Sequence, residues 1–181
     1  NLIADSMRNA TGSDFAFMNP GWIRADLDAG DITYEELFAI LPFGNTLVKM
    51  NMTGEQIRKV LEQQFAEDRM RIMQISGLSY AWDPNRPIGS RITDIYLPNG
   101  DKIDPGATYS VTVNSFMADG GDNYHEFTNG TNRQDTGMID VDAFVDYVKK
   151  LSKNGPISAA IEGRIYLSSK PSDEPSPGDD T

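Results

Sequence analysis

Apolar and polar positions alternate between two periods along the chain. Leu2, Ile3 and Met7 share one face at helical spacing and predict a helix over Leu2 to Asn9, ended by Gly12. Asp14 to Met18 reads as a short buried strand, and Asn19-Pro20-Gly21 as a turn. Thr33-Tyr34-Glu35-Glu36 has the form of a capping box, with Leu37, Phe38, Ile40 and Leu41 behind it and Pro42 as the stop. Thr46 to Met52 alternates as a strand does. Thr53-Gly54-Glu55-Gln56 forms a second capping box and opens the clearest helix, whose core stripe is Ile57, Val60, Leu61 and Gln64–Phe65.

Strand signals then dominate. Gln74 to Trp82 alternates, Arg91 to Leu97 is rich in β-branched and aromatic residues, and Asn99-Gly100 signals a hairpin turn. Thr108 to Val113 alternates again, and a glycine-rich loop runs from Asp119 to Tyr124. Val141 to Leu151 predicts a last amphipathic helix with Phe144, Val148 and Leu151 inward, stopped by Asn154-Gly155-Pro156. Arg164 to Leu167 reads as a closing strand. The sum is a mixed α/β domain of the α+β type, a mixed sheet with packed helices, over residues 1–169. Residues 170–181 are acidic and rich in Pro and Ser; with no apolar surface to bury, they predict a disordered tail or linker.

Composition narrows the function. The 181 residues carry a net charge of −11, and the tail accounts for −3 of it. So acidic a body lacks the basic face that a binder of nucleic acid polymers needs, but it leaves room for a pocket with one or two arginines. There is no cysteine, so disulfides, thiolate metal sites and a cysteine nucleophile are excluded. No apolar run approaches the length of a membrane span, and no signal peptide is present. The chain opens at Asn1, as expected of a processed product or an excised piece. His125 is the only histidine, so a self-sufficient hydrolase would have to be built around it alone. A binding domain is the better expectation, with no catalytic residue and no metal ligand assigned.

Three stretches carry candidate chemistry. Asn19 to Arg24 follows a strand: Asn19 offers a donor and an acceptor, and Arg24 a charged fork, unless this is a turn with a surface arginine. In Leu41-Pro42-Phe43-Gly44-Asn45, Phe43 is either a stacking platform or a core residue closing a helix. In Asn114 to Tyr124, paired glycines precede Asp122, which could accept from two vicinal hydroxyls, and Phe116 could stack. That loop also reads as a tight turn with a solvated aspartate. Gly120-Gly121-Asp122 shares its form with the start of a diguanylate cyclase signature, which Asn123-Tyr124 breaks, and with a single calcium repeat.

Taken in order, Asn1 to Arg8, Asn19 to Arg24, Leu41 to Asn45, Thr53-Gly54, Gln74 to Gly77 and Asn114 to Tyr124 resemble the C-terminal domain of the 5′-nucleotidase family. The resemblance implies an exported two-domain enzyme. A metallophosphoesterase domain in cis, absent from this chain, would hold two divalent metal ions and cleave the phosphate ester. The present domain would hold the nucleoside: Phe43 and Phe116 sandwiching the base, Asn19 at the base edge, Asp122 on the ribose hydroxyls and Arg24 near ribose or phosphate. The chain alone would not hydrolyse the substrate. The location implied is extracellular, cell-wall-associated or periplasmic, in a bacterium.

The family's Asn-Gly-Gly-Gly-Ile-Arg type loop carries Pro20 and Trp22 here. Trp22 either narrows the pocket or packs beneath it. The family's pocket arginines fall upstream of a position like Asn1. Phe116, six residues before Asp122, looks more like the 5′-nucleotidase branch than the branch acting on 2′,3′-cyclic and 3′-nucleotides. UDP-sugar hydrolysis occurs among similar proteins, and a surface binding module without a catalytic role is the remaining alternative.

Overall fold

Phe15–Met18 (β1) is buried along its whole length, a pattern that places it inside a sheet covered on both faces. In the computed structural model, which describes residues 1–26, 29–158 and 160–168, β1 lies in a five-stranded mixed sheet. It pairs in parallel with β6 (Thr108–Asn114) and antiparallel with β3 (Gln74–Ser76). β6 pairs antiparallel with β2 (Thr46–Thr53), and β2 with β7 (Thr131–Ile139), giving the order β3-β1-β6-β2-β7.

The alternation of β1 divides two cores. Phe15 and Phe17 point into one, with Met50 and Met52 of β2, Val111 and Val113 of β6, and Ile57, Val60 and Leu61 of helix α3 (Gly54–Glu62). Ala16 and Met18 point into the other, formed with α1 (Leu2–Thr11), α2 (Tyr34–Ile40) and α5 (Asp140–Ser152). Both predicted capping boxes are present. Thr33 accepts from the Glu36 N–H and Thr53 from the Gln56 N–H, and each partner side chain reaches back to the cap.

A second, three-stranded sheet closes the first core, in the order β5 (Ile92–Tyr96), β4 (Ser79–Trp82), β8 (Ile165–Leu167). The mixed α/β class is therefore as expected, with the strands divided between two sheets. The reading of Gln74 to Trp82 as one strand needs correction. Gly77, at φ +87°, turns the chain from β3 in the first sheet to β4 in the second. β7 has no counterpart in the sequence pattern, because it is an exposed edge strand with no buried face to impose alternation. Leu151, read as inward, is only half-buried. The tail reading for residues 170–181 lies outside the described residues.

Candidate functional site

Strand direction brings four segments to one edge of the large sheet. β1 and β6 run parallel, so the segments that follow Met18 and Asn114 leave side by side. β2 runs antiparallel to β6, with Leu47 opposite Asn114, so the Phe43-Gly44-Asn45 segment enters at that same edge. β3 runs antiparallel to β1, with Gln74 opposite Met18, and this brings Arg71 there too. Loops gathered at a strand edge are a common seat of binding groups.

A polar chain runs through the middle. The side chain of Asn114 caps the short helix α4 (Ser115–Ala118), accepting from the Met117 N–H at 2.8 Å. Its amide donates to Asn19 Oδ1 at 2.9 Å, and the Asn19 amide donates to Asp122 Oδ2 at 2.6 Å. The other Asp122 oxygen receives the Arg71 guanidinium at 2.8 Å. Asn19 and Asn114 are fully buried, while Asp122 keeps part of its carboxylate open to solvent. Asp122 is therefore not a freely solvated loop residue but a fixed acceptor.

The loop geometry follows from its residues. Gly120, Asp122 and Asn123 all have positive φ, at 84°, 58° and 69°. Glycine adopts this region at little cost, and Asp and Asn tolerate it better than other side chains. At Gly121 a Cβ would lie 2.4 Å from the Phe116 ring, so only glycine lets that ring lie against the loop backbone. Tyr124 is buried below, its hydroxyl donating to the Arg71 carbonyl oxygen at 2.7 Å. Burial, and then the nearby Asp122 carboxylate, push its phenol pKa well above the ordinary value.

Beside this polar chain sits an aromatic group. The Trp22 ring centroid is 4.1 Å from that of Phe43, edge-on at 71°, and 4.8 Å from that of Phe116, tilted at 47°. The Arg24 guanidinium lies 5.0 Å from the Phe43 ring centroid, within cation–π range, and the Arg24 N–H is tied to the end of α2 through the Ile40 carbonyl oxygen. Phe43 is 44 % exposed, so it is not a core residue closing a helix. Asn45 accepts from the Ser115 hydroxyl, and its own buried amide has no hydrogen-bond partner among the described residues.

Asn19, Arg24, Phe43, Phe116 and Asp122 thus come together from three loops. Arg71, which holds Asp122, was not singled out in the sequence; it stands in an irregular segment with no spacing signal. Asn114 had one, as a capping residue type at the head of Ser115-Phe116-Met117. His125 is exposed at the start of a short 3-10 turn. Two clefts, of about 430 and 280 Å³, lie elsewhere, sharing Asp5, Arg8 and Ser76 and touching none of the five. Among the described residues no group of three or more His, Asp or Glu side chains could hold a metal ion, and no helix is long and apolar enough to cross a membrane.

Loops at one edge of the mixed sheet thus bring aromatic rings beside a fixed carboxylate. Comparison places the chain in a family. The family model described as "5′-nucleotidase, C-terminal domain" matches residues 1–129, and the chain belongs to that family. The trifunctional nucleotide phosphoesterase protein YfkN of Bacillus subtilis is 38 % identical over 176 residues, covering 91 % of this chain and 12 % of that protein. Protein UshA of Escherichia coli is 32 % identical over 153 residues, covering 83 % of this chain and 27 % of UshA. The 5′-nucleotidase precursor of Thermus thermophilus superimposes with a TM-score of 0.83 at 40 % identity, over 94 % of this chain and 35 % of that one. The chain therefore spans only about an eighth to a third of the length of these relatives.

Proposed function

We propose that this chain is the substrate-recognition domain of a larger secreted nucleotidase, and that it binds the nucleoside part of a nucleotide. The observation that carries this reading is the pairing of an aromatic group (Phe43, Trp22 and Phe116) with a carboxylate fixed by two donors, Asn19 and Arg71. A heterocyclic base needs flat apolar faces, and each stacked base is worth roughly 1–3 kcal/mol. A ribose diol needs an acceptor held still, and Asp122 retains open carboxylate surface for it. Arg24, exposed beside Phe43, supplies a positive charge toward ribose or phosphate. In this reading Asn19 acts mainly by fixing Asp122, since both ends of its amide are engaged within the protein.

Recognition is then separate from chemistry. Phosphate-ester cleavage, with its two divalent ions, belongs to a metallophosphoesterase domain in cis, and this chain alone has no hydrolytic activity. Similarity to a trifunctional nucleotide phosphoesterase favours a parent that handles more than one nucleotide ester, for which the nucleoside is the common handle. An extracellular, cell-wall or periplasmic location goes with this reading, and a snake venom 5′-nucleotidase of Crotalus adamanteus, 32 % identical over 165 residues, is in keeping with a secreted parent.

The test is calorimetric titration of the 181-residue chain with adenosine and AMP, repeated in Asp122→Asn and Phe116→Ala. Saturable binding that weakens in both variants supports the reading. Equal affinity in all three proteins would sink it.

A further inference from the structure

The aromatic group holds one ring more than a base clamp needs. Trp22 contacts both Phe43 and Phe116, whereas among the described residues the two phenylalanines pair with Trp22 and not with each other. Trp22 stands on a short 3-10 turn, Pro20–Trp22, none of whose residues is fully buried. One backbone hydrogen bond closes that turn, from the Ile23 N–H to the Pro20 carbonyl oxygen. The indole ring is half-buried; besides the two phenylalanine rings it packs on the edge of the second core.

We infer that Trp22 is an internal occupant of the base slot, and that a purine base takes its place. This rests on the nucleoside reading above. Indole is a fused six- and five-membered bicycle, the same outline as a purine, so the space it vacates is purine-sized. A single-ring pyrimidine covers less of the two phenylalanine faces and gains less from burial. A base and Trp22 cannot both cover the same faces of Phe43 and Phe116, so the apparent affinity is the intrinsic one reduced by the fraction of molecules in which Trp22 has moved off them. That fraction applies to every base alike. Trp22 thus sets the affinity threshold, and the slot it leaves sets the purine preference.

The experiment uses the whole chain. The chain has two tryptophans, Trp22 and Trp82, and Trp82 packs on Phe65 away from the site. A Trp82→Phe background leaves Trp22 as the one emitter. AMP is expected to shift its emission to longer wavelength and to raise its quenching by acrylamide. In calorimetry, Trp22→Ala is expected to tighten both AMP and UMP by a common factor of about tenfold, as release of a competing aromatic contact requires, with AMP the tighter ligand throughout. Weaker or unchanged AMP binding in Trp22→Ala would mean that Trp22 is a wall of the site or lies outside it, and would overturn the inference while leaving the nucleoside reading intact. UMP binding as tight as AMP would overturn the purine sizing. If neither protein binds either nucleotide while circular dichroism shows both folded, the nucleoside reading itself falls.

Discussion

Asn19 and Asp122 stand 103 positions apart in sequence and meet in a 2.6 Å hydrogen bond, the amide of one donating to the carboxylate of the other. The bond ties the segment after β1 to the segment after β6. It also explains why Asp122 sits in a left-handed backbone conformation, since the geometry of the loop is what aims the carboxylate at Asn19 and Arg71. Removing the carboxylate leaves the fully buried Asn19 amide with an unmet donor, which costs about 1–3 kcal/mol. Asp122→Ala is therefore expected to lose stability by that order as well as nucleoside affinity. Asp122→Asn, which keeps an acceptor, should lose affinity with a smaller change in the urea midpoint. Urea unfolding and titration on the same samples check both. An Asp122→Ala protein as stable as the parent would show that the bond to Asn19 does not hold the loop.

The two phenylalanines separate binding from folding. Phe43 is 44 % exposed, so truncating it removes little buried surface. Phe43→Ala should weaken binding of a base by roughly 1–3 kcal/mol with nearly unchanged stability. Phe116 is half-buried against Gly121, so Phe116→Ala should lose similar affinity and also some stability. Thermal unfolding and AMP titration distinguish the two patterns. A Phe43→Ala variant that binds AMP normally would remove Phe43 from the site.

Much of this arrangement was legible in the sequence, and the remainder was hidden for physical reasons. Helices α2 and α3 announce themselves, because a capping box and an apolar stripe are local. β1 announces itself because burial on both faces leaves a continuous apolar run. β7 does not, because Thr131 to Gly137 is a polar edge with nothing inward. The five residues that the resemblance implies do stand together in space, but motif and resemblance singled them out rather than periodicity. Arg71 escaped because its link to Asp122 exists only through the antiparallel register of β3 on β1, a long-range fact with no local trace. Trp22 left two placements open in the sequence. Its contact with both phenylalanines depends on strand directions that spacing does not give.

The turn at Gly77 gives a test of the two-sheet architecture. A Cβ there would lie 2.0 Å from the Asp14 carbonyl oxygen, which is backbone and cannot easily yield, and φ is +87°. Gly100 has nearly the same φ, +89°, but open space around it. Backbone strain is thus common to both substitutions, and the collision is confined to one. Gly77→Ala should be far more destabilising than Gly100→Ala, with the latter near 1 kcal/mol. Paired urea titrations measure the difference. Equal losses would mean that strain alone governs the turn and that Asp14 does not crowd it.

Asp140 supplies the pH dependence. It is 2 % exposed at the start of α5, and burial raises its pKa to about 6; the hydrogen bond it accepts from the Val141 N–H works against that shift, while the like charge of Asp142 adds to it. The native state therefore holds a proton on Asp140 that the unfolded chain, with an ordinary carboxylate value of 3.8, has already released. Between about pH 4 and pH 6 the native state binds more protons than the unfolded state, so this group makes stability fall as pH rises. Above the native pKa the cost of the buried charge is fully expressed, and below the unfolded pKa it is absent. Asp140→Asn keeps an acceptor for Val141 and removes the charge. It should raise stability at pH 7 by on the order of 1–3 kcal/mol, and the gain should shrink to nothing near pH 3.5. Urea midpoints of the two proteins across pH 3.5–7.5 give the curve directly. A gain that is the same at both ends would assign the effect to packing rather than to the proton, and a loss at pH 7 would mean that the carboxylate at the head of α5 stabilises the helix more than burial penalises it.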